Sequence, residues 1–390
     1  MCIRDSPQTR RTLRNLCAQL GQVEVICGRA MVVRGSAQAA EAISALPGVA
    51  GVWADTVVDL PSSLDDQTRR FVEAWNYMHA PARRWNHAAR LRPRPAWPVH
   101  DALRRPDNLP QHGITGRDNS HTIPAKPASA PTSRSIYDTS KYMVGHIIVN
   151  VFLMESTTAG PDEENWTPEE EQAVLAEITE ALVGSDNADS TPLASYYNEH
   201  YNAGLTFEIR FHPGEHVSSE PITGTYLDAD RAAYEIIARQ GPYTADMAGV
   251  AQFNEDQRKS AGADMAYCVF VADSSNDPDN MFADGYFAYA YLGGPFVMLT
   301  LGNDGWGLDR MNDVFAHETH HIFGALDEYA AAGEDASTRA GYLQVLNGNS
   351  ELGNPLIDQP CLMRTATFPT VCPYTCLLYT SDAADELDGV

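Results

Sequence analysis

Two histidines four residues apart, followed three residues later by a glycine, constrain this chain more than any other feature. They lie in HETHHIFGALDEY, residues 317–329. Met311, Val314, Phe315 and Ile322 recur around them at helical spacing, which predicts one helix through both imidazoles. At 3.6 residues per turn His317 and His321 fall about 40° apart on one face, placed to hold a single cation. Glu318 points to the side, near enough to reach a metal-bound water without being a ligand, as a general base requires. Gly324 has no Cβ and suits the left-handed conformation that ends a helix, so the chain turns and an acidic side chain returns to the cation. Asp327 can return as that third ligand, and Glu328 beside it is the rival. Three protein ligands leave one position for water, the pattern of catalytic rather than structural zinc. Zinc there would bring the water's pKa towards about 7 and polarise a scissile carbonyl, with Glu318 carrying the proton to the leaving amine. Without that chemistry the same segment reads as a solvated polar helix.

The two ends are set apart first. MCIRDS at the start and CLLYTSDAADE near the finish back-translate to nucleotide strings of which one is the reverse complement of the beginning of the other. A transposase adapter read in both directions gives that relation, so residues 1–6 and 376–390 are expected to be adapter-derived. On this reading the natural chain was cut at both ends and any signal peptide was lost with it.

The remainder is long enough for two domains, with 44% hydrophobic residues to build cores. The net charge of −25 argues against nucleic acid as a partner, because phosphates would be repelled over most of the surface. It is the balance expected of a soluble protein or one from a saline habitat. No apolar run reaches the roughly 18 residues of a membrane helix. The best, residues 142–154, is broken by His146 and Asn150.

Along the chain, 7–62 reads as a small module. VEVICGRAMVVRG, 23–35, predicts a strand, Ser36 caps a helix AQAAEAISAL that stops at Pro47-Gly48, and VAGVWADTVVDL predicts a second strand. Residues 63–134 read as a linker with one helix around Phe71 to Met78. Within it, 69–134 carries twelve Lys/Arg against four Asp/Glu and nine prolines, so it is basic, about +8, beside an acidic remainder. A strap over an acidic domain and a solvated linker are both open. Residues 135–375 alternate strands and helices, the signature of an α/β domain. KYMVGHIIVNVFLME, LTFEIRF, AYCVFVADSS and FVMLTL are its strands. Thr167 and Pro168 open a helix to Val183, and further helices cover 229–239 and 254–261.

These residues give the chain a family likeness. HExxHxxGxxD resembles the metzincin zinc signature in the variant with aspartate as third ligand, as in snapalysin-like bacterial proteases, and the resemblance spans Ser135 to Tyr374. It implies a metzincin-like mixed twisted sheet with an active-site helix, and it favours Asp327 over Glu328. FADGYFAYAYLGGPF matches the bulged edge-strand region ahead of that helix, where an extended substrate would add as a strand; buried edge packing is the plainer alternative. Met363 in CLMR would form the methionine turn, a hydrophobic base for the ligand histidines; read plainly it is a core methionine. Thr365 stands where astacin-like and serralysin-like members have tyrosine, so no tyrosine ligand is implied. Aspartate in place of a third histidine lowers the positive charge of the site and would leave its water less acidic. His320 falls where glycine is common, on another face, and is expected at the surface or behind the ligands. Tyr329 is a packing aromatic or an oxyanion stabiliser.

The module at 7–62 resembles the inhibitor-like propeptides of subtilisin-type proteases, through its helix, LPGV and V-x-x-D, although an unrelated α+β module has the same look. The expectation is that 7–134 serves as folding aid and intramolecular inhibitor, released by cleavage in the Arg-rich linker. Cys27 and Asp55 are the candidates for the zinc's open position, Cys27 otherwise being a buried strand thiol. DSSNDPDN, 273–280, with Asn303, Asp304 and Gly305, is a calcium candidate or a capped polar turn. No CxxC pair is present; Cys361 and Cys372 flank a short loop and form either a disulfide, suited to export, or two free thiols. Together these readings describe a secreted, monomeric zinc endopeptidase acting on protein or peptide substrates. The competing classes are a metal-dependent amidase on a non-peptide or peptidoglycan amide, and a binding module that keeps its metal without hydrolysis.

Overall fold

The computed structural model describes residues 1–4, 10–58, 64–80, 102–103, 143–156, 165–184, 192–201, 203–304, 306–341, 345–353, 359–364 and 371–377. The first half contributes β1 (Cys2–Arg4), α1 (Arg10–Leu20), β2 (Gln22–Cys27), β3 (Ala30–Arg34), α2 (Ala37–Ser44), β4 (Val49–Val52), α3 (Asp66–Met78) and β5 (Ala102–Leu103). The second contributes β6 (His146–Ser156), α4 (Pro168–Val183), α5 (Leu193–Tyr201), β7 (Thr206–Val217), α6 (Tyr226–Arg239), α7 (Met247–Ala261), β8 (Met265–Ala272), β9 (Ala288–Tyr291), β10 (Phe296–Thr300), α8 (Met311–Ile322), β11 (Arg339–Ala340), β12 (Val345–Leu346) and α9 (Pro373–Leu377). Among the described residues this is a mixed α/β chain with nine α-helices and one large sheet of ten strands, ordered β4-β1-β3-β2-β7-β6-β8-β10-β9-β5. Strands β7, β6, β8 and β10 run parallel, and β9 is antiparallel to β10.

The apolar run that becomes β6 explains the layering. Its residues alternate between faces, and both faces are covered, so seven of its eleven positions are apolar. Ile147, Val149, Val151 and Leu153 pack in one core with Val174, Leu175, Ile178 and Leu182 of α4 and with Met311, Val314 and Phe315 of α8. Phe152 and Met154 pack in the other with Ile236 and Ile237 of α6 and Val250 and Phe253 of α7. The start of α4 follows the expected pattern: Thr167 and Glu170 form a capping box and Pro168 occupies the first turn.

The N-terminal elements differ from expectation. Residues 23–35 are a hairpin rather than one strand, because Gly28 adopts φ +54° at the first position of a two-residue loop. A Cβ there would meet Thr68 Oγ1 at 2.5 Å. Among the described residues of the second expected strand only Val49–Val52 pair, and α1 and α5 had no counterpart in the sequence reading. Strand β2 pairs in parallel with β7 through Val25, Ile26 and Cys27, so this hairpin continues the main sheet. Cys2 and Ile3 bridge β3 and β4; strand addition rests on backbone groups, which any short extended segment supplies.

Helix α3 begins inside the expected linker and is a core element. Thr68, Phe71, Val72, Trp75 and Met78 recur at three- and four-residue spacing and are buried against the α4 layer. At ~1.5–3 kcal/mol for each large apolar side chain removed from water, the last four outweigh any linker role. Further on, β5 pairs in parallel with the outer side of β9, Ala102 opposite Ala290 and Leu103 opposite Tyr291.

Strand β9 is tied to α6 by one buried carboxylate: Asp230 accepts hydrogen bonds from Tyr289 (2.8 Å) and Tyr291. Burial pushes its carboxyl from 3.8 up to about 6, although the hydroxyls of Tyr291 and Tyr289 oppose the rise. The folded chain therefore holds this proton more tightly than the unfolded one. The stability gained is complete below pH 3.8 and is lost as pH rises to about 6. That interval corresponds to ~3 kcal/mol. Asp230→Asn cannot ionise, so relative to the parent it should gain up to ~3 kcal/mol between about pH 4 and pH 7. Thermal unfolding of both chains across that range checks this, and a pH-independent difference would contradict it.

Candidate metal centre

Helix α8 carries five consecutive polar residues, His317 to His321, all with 0% exposure. The solvated-helix reading is therefore not what forms; these groups are enclosed, and buried polar groups are costly without partners. Their partners can be traced. His317 Nδ1 lies 3.1 Å from Leu362 O and His321 Nδ1 2.8 Å from Ala325 O. The Thr319 and Tyr267 hydroxyls meet at 3.1 Å. His320 donates from Nδ1 to Ala316 O (2.6 Å), and its Nε2 meets the Tyr197 hydroxyl of α5 at 3.0 Å. His320 is thus behind the ligands and not at the surface, and burial lowers its pKa to about 3. At the start of α8, Glu177 of α4 accepts from the Asn312 amide at 3.4 Å, placing a carboxylate where a helix presents bare N–H groups.

The end of α8 is a Schellman turn. Gly324 N donates to His321 O (2.9 Å) and Ala325 N to His320 O (3.0 Å), with Gly324 at φ +92°. A Cβ at Gly324 would stand 2.9 Å from Gly341 Cα, so both backbone conformation and space require glycine. The reversal has two effects. It turns the Ala325 carbonyl onto His321, and it brings Asp327 back over the histidine face. The β9–β10 turn fastens the same corner, Gly293 N donating to His321 O at 2.9 Å.

Three atoms converge there. His317 Nε2 and His321 Nε2 are 3.1 Å apart, and Asp327 Oδ1 lies 3.1 and 3.3 Å from them. Because each Nδ1 donates to a carbonyl, each Nε2 offers a lone pair to the centre. Asp327 Oδ1 is buried and receives no well-formed hydrogen bond. Burial favours the neutral imidazole of His317. Burial alone would raise the Asp327 carboxyl, but its place against the His321 and His317 rings outweighs this and holds the group below the usual carboxylate range. Two lone pairs and a carboxylate oxygen facing one point need a positive charge between them. Tetrahedral zinc, with bonds of about 2.0–2.1 Å, sets its ligands about 3.3 Å apart. The observed triangle has that size, so the donor set fits such an ion. Glu318, between the two histidines in sequence, is wholly buried on the same helix.

Glu328 faces away from this centre. Its carboxylate accepts from Asn349 Nδ2 (2.6 Å), Thr375 Oγ1 (2.8 Å) and Cys372 Sγ (2.9 Å). Together with Cys361 and Cys372 it makes the second of two groups of metal-competent side chains among the described residues, the first being His317, His321 and Asp327. Met363 is fully buried in the core shared with α8, and the backbone of the turn it lies in supports the centre: Leu362 O accepts from His317, while Met363 O accepts from Glu328 N at 2.8 Å. Tyr329 packs in the same core. These carbonyl supports, with Tyr197 and Asn349, escaped the sequence reading, since nothing local in sequence announces a carbonyl partner.

The other candidates lie elsewhere. Cys27 is a buried thiol at the end of β2, 3.7 Å from Gln67 O, with β7, β6 and β8 between its strand and β10. Asp55 is exposed. In the acidic loop the carboxylates cap amides, Asp273 taking Ser275 N at 2.9 Å and Asp277 taking Asn280 N at 2.8 Å. That loop contributes to neither metal-competent group. Gly305 and Thr365 fall outside the described residues. No helix among the described residues is long and apolar enough to cross a membrane.

No protein-family model matches the chain, and no curated protein matches it.

Gly324→Ala should cost ~2–4 kcal/mol, from a positive φ imposed on a residue with a side chain plus the clash with Gly341. It should also weaken metal retention by moving Asp327 and the Ala325 carbonyl. Denaturant midpoints and metal content of the purified variant check both, and an unchanged value for each would show that the turn does not set the site.

Proposed function

We propose that this chain is a secreted zinc-dependent endopeptidase of metzincin type. The observation that carries the reading is the meeting of His317 Nε2, His321 Nε2 and Asp327 Oδ1 at 3.1–3.3 Å, with both Nδ1 atoms committed to carbonyls. When bound, zinc supplies Lewis acidity that polarises a peptide carbonyl and makes a water acidic. The chain's own contributions follow from position. His317, His321 and Asp327 hold the ion. Leu362 and Ala325 fix the imidazole tautomers, a support whose loss typically weakens metal sites 10–100-fold. Glu318 takes a proton from the attacking water and returns it to the departing amine nitrogen. The Met363 turn holds the ligand-bearing segments from below.

Strand β9 would be the guide for substrate. It is the antiparallel strand nearest α8, fastened to it through Gly293, and an extended peptide would pair along its outer edge with little regard to side chains. In this structure β5 takes that edge. The basic segment around residues 102–103 thus supports the reading of an intramolecular inhibitor. Inhibition and release belong to the part beyond α3, because β2 and α3 are built into the sheet and core and would leave behind open apolar surface.

Three variants and a chelator test the reading. Glu318→Gln should keep about one equivalent of zinc and lose casein or labelled-peptide cleavage by about 10²–10⁴-fold. His317→Ala and Asp327→Ala should lose the metal, and chelation should silence the parent. If the parent, cut within 80–134, retains zinc yet cleaves no peptide, the binding-module class stands instead. If products form only from non-peptide amides, the amidase class does.

A further inference from the structure

Beyond the metal centre, and independent of whether it is catalytic, we infer that Cys361 and Cys372 are a disulfide site that locks the Met363 turn. The two sulfurs lie within 4.8 Å of each other, and each contacts Thr375 Oγ1, at 3.5 and 3.6 Å. Cys372 N is already 3.3 Å from Cys361 Sγ, so the backbone of one residue reaches the sulfur of the other. Ten residues separate them, and the turn that starts at Cys361 supplies the two carbonyls, Leu362 and Met363, that hold His317 and the segment after Asp327. A covalent closure at this place therefore fixes the support of the ligands rather than a distant loop.

A second metal site is the rival, and two observations weigh against it. Cys372 Sγ stands 2.9 Å from Glu328 Oε1, the spacing of a thiol donating to a carboxylate; a sulfur and an oxygen sharing tetrahedral zinc would be about 3.5 Å apart. Burial, with hydrogen bonding to Cys372 and the nearby Glu328 carboxylate, disfavours the Cys361 thiolate that a metal would need. Both sulfurs are enclosed in the folded chain, so bond formation belongs to folding, before the site closes to a disulfide donor. Glu328 loses only one donor in the oxidised state, keeping Asn349 and Thr375. Cys27 and Cys268 are held elsewhere, against Gln67 and Asn254.

The chemistry balances with a disulfide donor, such as oxidised glutathione or an oxidoreductase bearing a disulfide. The thiolate of one cysteine attacks the donor and forms a mixed disulfide. That attack breaks the donor's S–S bond and frees its first thiolate. The second cysteine then displaces the other donor thiolate, leaving one S–S bond in the protein and a donor reduced by two electrons, whose two thiolates take up the two protons the cysteines lose.

The test uses the full chain, refolded with oxidised and reduced glutathione, then denatured and alkylated without reductant. Peptide mapping should recover 361 and 372 in one cross-linked species, two hydrogens lighter than the paired thiols. The oxidised parent should melt about 5–10 °C above both its reduced form and the Cys361→Ser/Cys372→Ser variant. The inference is overturned if mapping finds both cysteines alkylated after oxidative refolding, or if the parent carries a second zinc equivalent that the double variant lacks. Mapping is done on the parent itself, so a variant that fails to fold does not remove the test.

Discussion

The structure depends on one electrostatic demand: two imidazole lone pairs and a carboxylate oxygen meet in a place closed to water. In solution such groups would turn to solvent at little cost. Inside a wholly buried helix they cannot, and the low local dielectric magnifies the repulsion among acceptors. A cation answers that demand. Everything near it is arranged to keep the three atoms pointed inward, from the carbonyl partners of both histidines to the Schellman turn that returns Asp327.

That arrangement is made largely of backbone. The Ala325, Leu362 and Met363 carbonyls hold His321, His317 and Glu328, and Glu328 receives further bonds from the side chains of Asn349, Cys372 and Thr375. Backbone partners are indifferent to side-chain identity but exacting about chain path, so a single bad torsion at Gly324 would disturb several of them together. The β9–β10 turn adds a bond to the same corner, linking the large sheet to the end of α8.

At the opposite side of the sheet, the N-terminal hairpin pairs with β7 and α3 lies on α4, so residues that read as an appended module share the layers of the second half. Among the described residues of the first half, only the short β5 pairs with the strand beside α8. Among the described residues, the first half of the chain meets the second through the β2–β7 pairing, a broad apolar interface and a two-residue edge pairing.

Local chemistry carried much of this. The helix through His317 and His321, its end at Gly324, the return of Asp327, the capped start at Thr167 and the doubly buried β6 run all follow from spacings of a few residues, because helix periodicity, capping and strand alternation are local rules. What lay beyond reach depends on contacts between distant segments. That 23–35 folds back on itself, that α3 belongs to the core, that His320 is enclosed by Tyr197 and that Glu328 turns to Cys372 and Asn349 are matters of which surfaces meet. A stretch of sequence states its own preferences, but not which partner will cover it, and burial is a property of that partner as much as of the residue.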